Sequence, residues 1–157
     1  MATNGTGPGV GVSAVPAPEV PEGFVPVERG GPFFMALAPV YRRRDDEAVV
    51  LGLRIDHRHA NSHGNAHGGM LVTLADGALY DNLMLRRTSE QQMVTVNLSV
   101  DFISAARVGD WLEAHVHVHR RGQLLGFADC VLRAGSRVVL RASATFVQPP
   151  ARAEAVA

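Results

Sequence analysis

Lysine is absent from this chain, and all 15 basic residues are arginine. That excludes a Schiff-base lysine, a pyridoxal-phosphate lysine and the lysine of a phosphate-binding loop. Cysteine is nearly absent too: Cys130 stands alone, so neither an intramolecular disulfide nor a multi-cysteine zinc site is available. It lies in the alternating apolar stretch 128–132 and reads as a small core residue. Neither sign of charge is in excess, because 15 acidic residues balance the 15 basic ones, which leaves no electrostatic footprint for nucleic acid or an anionic membrane surface. No apolar run approaches the ~18 residues of a membrane-spanning helix, and no basic start leads into an apolar core, so the expected setting is cytoplasmic, without a membrane. No Gly-x-Ser-x-Gly elbow occurs, which excludes a serine acyl-enzyme of the α/β-hydrolase type.

What remains is a chain of 157 residues, 46% hydrophobic, enough for one domain with a real core. The Gly-, Ala-, Val- and Pro-rich start reads as a tail over 1–22, the domain as 23–149, and 150–157 as a second tail. Strands are expected at 33–41 and 48–56, joined by the charged turn 42–47. A His-rich loop, 57–67, leads into a helix from Gly69 to about Leu85 that closes with Arg86 and Arg87. Those arginines suit a helix C-terminus, with ligand phosphates as the alternative. Four more strands follow, at 93–103, 110–119, 124–133 and 138–148, spaced as an antiparallel meander. In the first, Val94, Val96, Leu98, Val100 and Phe102 alternate with Thr95, Asn97, Ser99 and Asp101, predicting one buried and one polar face. The fold class is α+β, a sheet curled around one central helix.

The chemistry concentrates where the loop meets that helix. Gly68 and Gly69 let backbone amides approach a ligand, and the first amides of a helix lack partners and carry its positive dipole end, so a developing oxyanion is stabilised there. The helix is apolar nearly all round, which predicts burial, and Asp76 falls among Val72, Leu79 and Leu83 at helical spacing. A carboxylate in such surroundings is either paired structurally or held for a reaction. The histidines suggest metal, since His115, His117 and His119 share one strand face and His57, His59 and His63 share one loop. That strand face also carries Trp111 and Glu113, as a polar outer surface would. No metal and no cofactor is expected.

The pattern Asn61-x-x-Gly64-x-x-His67-Gly68-Gly69, followed by Leu74-Ala75-Asp76, resembles the hotdog-fold acyl-CoA thioesterases, the group with the phenylacetate-pathway enzymes and the human thioesterase-superfamily proteins. The resemblance runs on through Val94-Thr95-Val96-Asn97, the stretch from Ser104 to Asp110 and that from Arg141 to Phe146, covering about 32–147. It implies an antiparallel sheet wrapped around one long helix, in subunits that pair as homodimers or homotetramers. It also implies a small-molecule acyl-CoA substrate hydrolysed to free acid and coenzyme A. Asp76 would be nucleophile or general base, Thr95 would orient the water, Gly68 would supply the backbone oxyanion donor and Asn61 would help hold the carbonyl. His67 and Gly69 would contact substrate at the junction, His67 chiefly as a structural hydrogen-bonding residue. Coenzyme A rather than an acyl carrier protein is preferred on the resemblance alone. A hotdog-fold hydratase or dehydratase and a non-catalytic acyl-CoA-binding protein stay open as alternatives. One further expectation comes from helix geometry: Gly68 and Asp76 are about 12 Å apart at about 1.5 Å per residue, too far to serve one reacting carbonyl. A site shared between two subunits would solve this.

Overall fold

The structure is a computed structural model that describes residues 19–28, 30–87 and 92–150. Apart from 19–22 and 150, the two expected tails fall outside the described residues. In chain order the elements are β1 (Val25–Pro26), α1 (Pro32–Met35), β2 (Val40–Arg44), β3 (Val49–Arg54), a 3-10 turn (His57–His59), α2 (Gly68–Met84), β4 (Val94–Phe102), β5 (Trp111–Arg121), β6 (Leu125–Ala134) and β7 (Arg137–Val147). The strands form one antiparallel sheet in the order β1-β2-β3-β5-β6-β7-β4, curled around α2. This is the expected α+β architecture.

Four local expectations are corrected. The strand expected at 33–41 begins only at Val40, because Pro32 starts a short helix, with the Met35 and Ala36 N–H groups turned back onto Gly31 and Pro32 carbonyls. The strand then runs through Arg42, Arg43 and Arg44. The turn is confined to the residues after them, where the Asp45 carboxylate accepts from the Glu47 and Ala48 N–H groups. The last four strands are not a simple meander: β5, β6 and β7 are, but β4 lies beyond β7 at the sheet edge, and β5 instead pairs with β3. The connection from β4 to β5 is too long for a tight hairpin, and Gly109 and Asp110 bond to Ile55 on the far side.

The third correction concerns α2, which is not buried all round. Met70, Leu71, Leu74, Ala75, Ala78, Leu79, Asn82 and Leu83 form a stripe against the sheet. Val72, Thr73, Asp76, Gly77, Tyr80, Asp81 and Met84 lie only half-buried on the other side. A sheet covers one side of a helix, so the apolar residues on the second side mark a face that a single chain leaves open. Leu74, Leu79 and Leu83 are fully buried and each contributes roughly 1.5–3 kcal/mol to the core.

Asn82 holds the helix in register. It is 1% exposed, its Oδ1 accepts from Val49 N–H at 2.9 Å, and its Nδ2 donates to the Val49 and Ala78 carbonyls at 2.7 and 2.9 Å. A buried side chain that satisfies both backbone groups of one β3 residue pins the helix to that strand. At the helix end Arg121 donates to the Asn82 carbonyl, and the Arg87 N–H, just past the last turn, donates to the Met84 carbonyl. Arg87 ties it to the β5–β6 loop through the Gly122 and Gln123 carbonyls and to Gln148.

The fourth correction is in β4. Its two faces are both open: Val94, Val96 and Phe102 are 47%, 56% and 58% exposed. Its alternation is also broken, because a bulge lies between Thr95 and Asn97. Thr95 pairs with Phe146 and Leu98 with Ala144, both helix-facing, whereas Asn97 pairs with Thr145 on the opposite face. Thr95 thus joins the face of Leu98 and Val100 instead of that of Asn97 and Ser99. An extra residue in one strand re-aims a side chain in this way.

Candidate active site

The loop before α2 is built by its own polar groups. Asn61 Oδ1 accepts from the His63 and Asn65 N–H groups at 2.9 and 3.2 Å, and Asn61 N–H donates to the Asn65 carbonyl at 2.7 Å. The chain reverses through Gly64, whose φ of 74° is a left-handed conformation that a side chain would disfavour. With its oxygen docked on the loop, the Asn61 amide turns its Nδ2 donors outward, and no acceptor among the described residues takes them. Below the loop, buried His59 accepts the Asp56 N–H on Nδ1 and donates from Nε2 to the Leu37 carbonyl, so a neutral imidazole satisfies both contacts.

The helix N-cap is His67, whose Nδ1 accepts from Gly69 N–H at 3.0 Å. His67 and Gly69, expected to contact substrate, therefore hydrogen-bond to each other. Gly68 N–H has no acceptor among the described residues and sits at the positive end of the helix. A Cβ at position 68 would lie 3.2 Å from the Phe102 ring, so glycine allows that ring to close over the backbone there. Asn61, Gly68, Leu71 and Phe102 line one cavity of about 460 Å³.

Asp76 opens into a different cavity, of about 620 Å³, shared with Thr73, Gly77, Tyr80 and Asp81 of α2 and walled by Val27, Phe33 and Phe34. The wall fits tightly because position 77 is glycine: a Cβ there would lie 2.5 Å from the Phe34 ring. The bulge brings Thr95 Oγ1 to 2.9 Å from Asp76 Oδ1, to which it donates. The structure therefore joins Asp76 to Thr95 by a hydrogen bond, brings Asn61 and Gly68 to one cavity, and leaves Asp76 on another cavity of the same chain.

Some residues of this site escape sequence reasoning. Phe33, Phe34 and Val27 lie far from α2 in sequence, and nothing local signals that they cover it. Asp81 also escapes: its carboxyl lines the Asp76 cavity and burial pushes its pKa up, an effect the Arg42 charge opposes. Tyr80 lines the cavity, whereas Leu83 is core. The strand histidines have carboxylate partners, His115 with Glu113 at 3.0 Å and His119 with Asp129 at 2.8 Å. Among the described residues no group of three His, Cys, Asp or Glu side chains could hold a metal ion. Burial pushes the Cys130 thiol up to about 12, too high for a nucleophile.

Comparison with known proteins places the family and the fold. The thioesterase superfamily profile matches residues 63–141. The chain is 47% identical over 131 residues to the Pseudomonas aeruginosa protein PA0474, whose name assigns it provisionally to the esterases; the match covers 83% of this chain and 98% of that one. It is 27% identical over 83 residues to mouse acyl-coenzyme A thioesterase 13, covering 53% of this chain and 59% of the mouse protein. In fold it is similar to zebrafish thioesterase superfamily member 2, with a TM-score of 0.63 at 24% identity, covering 74% and 94% of the two chains. It is likewise similar to the Escherichia coli PaaI protein of the phenylacetic acid degradation operon, with a TM-score of 0.65 at 22% identity, covering 73% and 81%. These two likenesses speak for the hotdog fold alone.

Proposed function

Because the chain belongs to the thioesterase superfamily and is a thioester or ester hydrolase, we propose that it hydrolyses acyl-coenzyme A thioesters, with Asp76 as the residue that activates water. The observation that carries this reading is the Thr95 Oγ1 to Asp76 Oδ1 hydrogen bond, made beside the cavity that Asp76 lines by a strand whose bulge turns Thr95 toward the helix. With its proton committed to Asp76, the Thr95 hydroxyl can only accept from a further donor. A water beside the pair would give one hydrogen to Thr95 and the other to the free Asp76 oxygen.

In the proposed reaction Asp76 takes a proton from this water as its oxygen bonds to the thioester carbon. The carbonyl oxygen becomes an oxyanion facing the Gly68 N–H and the Asn61 Nδ2, both without acceptors among the described residues. The tetrahedral intermediate collapses with cleavage of the C–S bond. The thiolate leaves without a strong general acid because a thiol pKa is about 8.5, and it takes up the proton Asp76 holds. Direct attack by the Asp76 carboxylate would use the same donors and then be completed by water on the resulting anhydride.

The donors belong to one cavity and the base to another, so the site we propose forms between two copies of the chain. Gly68 and Asn61 of one would face Asp76 and Thr95 of its partner, giving two equivalent sites per dimer. The open edge strand β4 and the half-exposed second side of α2 support such pairing. Among the described residues no helix is long and apolar enough to cross a membrane.

The test is thiol release from a panel of coenzyme A thioesters of graded acyl length by the purified protein. Saturable turnover is expected. A panel that is bound but never hydrolysed would overturn the proposal in favour of a binding protein.

A further inference from the structure

Two polar side chains are buried among the described residues, Asn82 and His59. Asn82 pins α2 to β3. His59, 3% exposed, does the equivalent for the loop that carries Asn61. Its imidazole and its carbonyl reach three separate segments. Nδ1 accepts from the Asp56 N–H at 3.0 Å and closes the 3-10 turn, while Nε2 donates to the Leu37 carbonyl at 3.0 Å and anchors the ring beyond α1. The His59 carbonyl accepts from the N–H of His67, the cap of α2, at 2.8 Å.

That last bond is the foot of a short antiparallel ladder. Above it Ala60 pairs with Ala66, and the Asn61 N–H meets the Asn65 carbonyl at the head. The returning side is held from outside, by the Ala66 N–H on the Ala106 carbonyl at 2.7 Å and by pairing of Asn65 with Arg107. The outgoing side, 59–61, carries Asn61 and has the His59 ring as its anchor. A leucine in this space would avoid the cost of burying a polar ring. A neutral imidazole accepts at one edge and donates at the other, so it ties Asp56 and Leu37 at once.

We infer that His59 is a positioning residue for Asn61: by closing the turn on the Asp56 N–H it fixes the strand of the ladder from which the Asn61 Nδ2 is aimed. This rests on the reading of that amide as an oxyanion donor. His59 itself touches no reacting atom. The Gly68 N–H is held by α2 as well, so Asn61 is the donor that depends most on the foot of the ladder. Misplacing such a group by about 1 Å can cost on the order of 10²-fold in rate.

The experiment measures kcat, KM and melting temperature with hexanoyl-coenzyme A for His59→Leu, His59→Asn and His59→Gln, each alone and combined with Asn61→Ala. His59→Leu should lower kcat per folded molecule by about tenfold or more with KM within about twofold, because the donor acts in the transition state. His59→Asn can place an oxygen on the Asp56 N–H where Nδ1 lies now, so kcat should return to within about threefold of wild type although the melting temperature falls. His59→Gln keeps a donor toward Leu37 without that acceptor, and should lose kcat as His59→Leu does. With Asn61 already replaced, His59→Leu should lower kcat by no more than about threefold, since the group it aims is gone. A merely structural role would lower the melting temperature of all three and leave kcat per folded molecule unmoved. Wild-type kcat in His59→Leu, or in His59→Gln should the leucine variant not fold, overturns the inference, as does a loss that is undiminished in the Asn61→Ala background. If Asn61→Ala alone leaves kcat unchanged, the reading of Asn61 as a donor fails first, and this inference with it.

Discussion

Replacing Asp76 with Asn removes a base and leaves almost everything else in place. The amide is nearly isosteric, and its oxygen can still accept the Thr95 hydroxyl at the 2.9 Å position where the carboxylate does now. Asp76 is half-buried and makes this one side-chain hydrogen bond among the described residues, so the exchange should change stability by no more than about 1 kcal/mol. The amide nitrogen has no basicity to accept a proton from water and no nucleophilic oxygen to attack a thioester. Turnover should therefore fall by about 10²-fold or more, which is about 2.7 kcal/mol or more of transition-state stabilisation. The assay is thiol release under saturating hexanoyl-coenzyme A, alongside a thermal melt and a light-scattering mass for each protein. The reasoning fails if a folded Asp76→Asn protein of unchanged mass retains near-wild-type kcat.

Thr95→Ala should cost less than Asp76→Asn, because it removes only the hydroxyl that positions the water, and a larger loss in the same assay would mean the two roles are reversed. Asn61→Ala should lower turnover by roughly 10–10³-fold if Nδ2 stabilises the oxyanion. A fall in melting temperature with unchanged turnover per folded molecule would instead make Asn61 a turn residue. Asn82→Ala should destabilise the fold by about 2–4 kcal/mol in a urea titration, since it strands both the N–H and the C=O of Val49 in the core. A loss under about 1 kcal/mol would mean that Asn82 does not pin α2 to β3.

What was legible in the sequence was set by local chemistry. The glycine turn, the His67 cap and the apolar spacing place α2 within one residue of the expected start and end. The alternating strands after it are placed nearly as well. Pairing partners are a different matter, because β4 reaches its place beside β7 through a long connection that no turn signal marks. Thr95 shows the limit most clearly. Its strict alternation assigns it to the face of Asn97, and only the bulge at Val96, a property of the pairing with β7, turns it toward Asp76. The apolar second side of α2 predicts burial, yet Val72 and Met84 are only half-buried in the single chain, because sequence does not distinguish cover from within the chain from cover by a second copy. Asp81 is hidden in the sequence because its cavity exists only once Val27, Phe33 and Phe34 lie across the helix.

The central claim is that base and oxyanion donors meet between subunits, and mixing two impaired variants tests it most directly. Asn61→Ala and Asp76→Asn chains, unfolded together and refolded in equal amounts, should form heterodimers as about half of all dimers, each with one site carrying both native residues and one carrying neither. Thiol release should then recover to about a quarter of the wild-type rate, while each variant refolded alone stays at its own reduced rate. If mass measurements show that heterodimers have formed and activity stays at the average of the two variants, the site lies within one chain and the proposed architecture is contradicted.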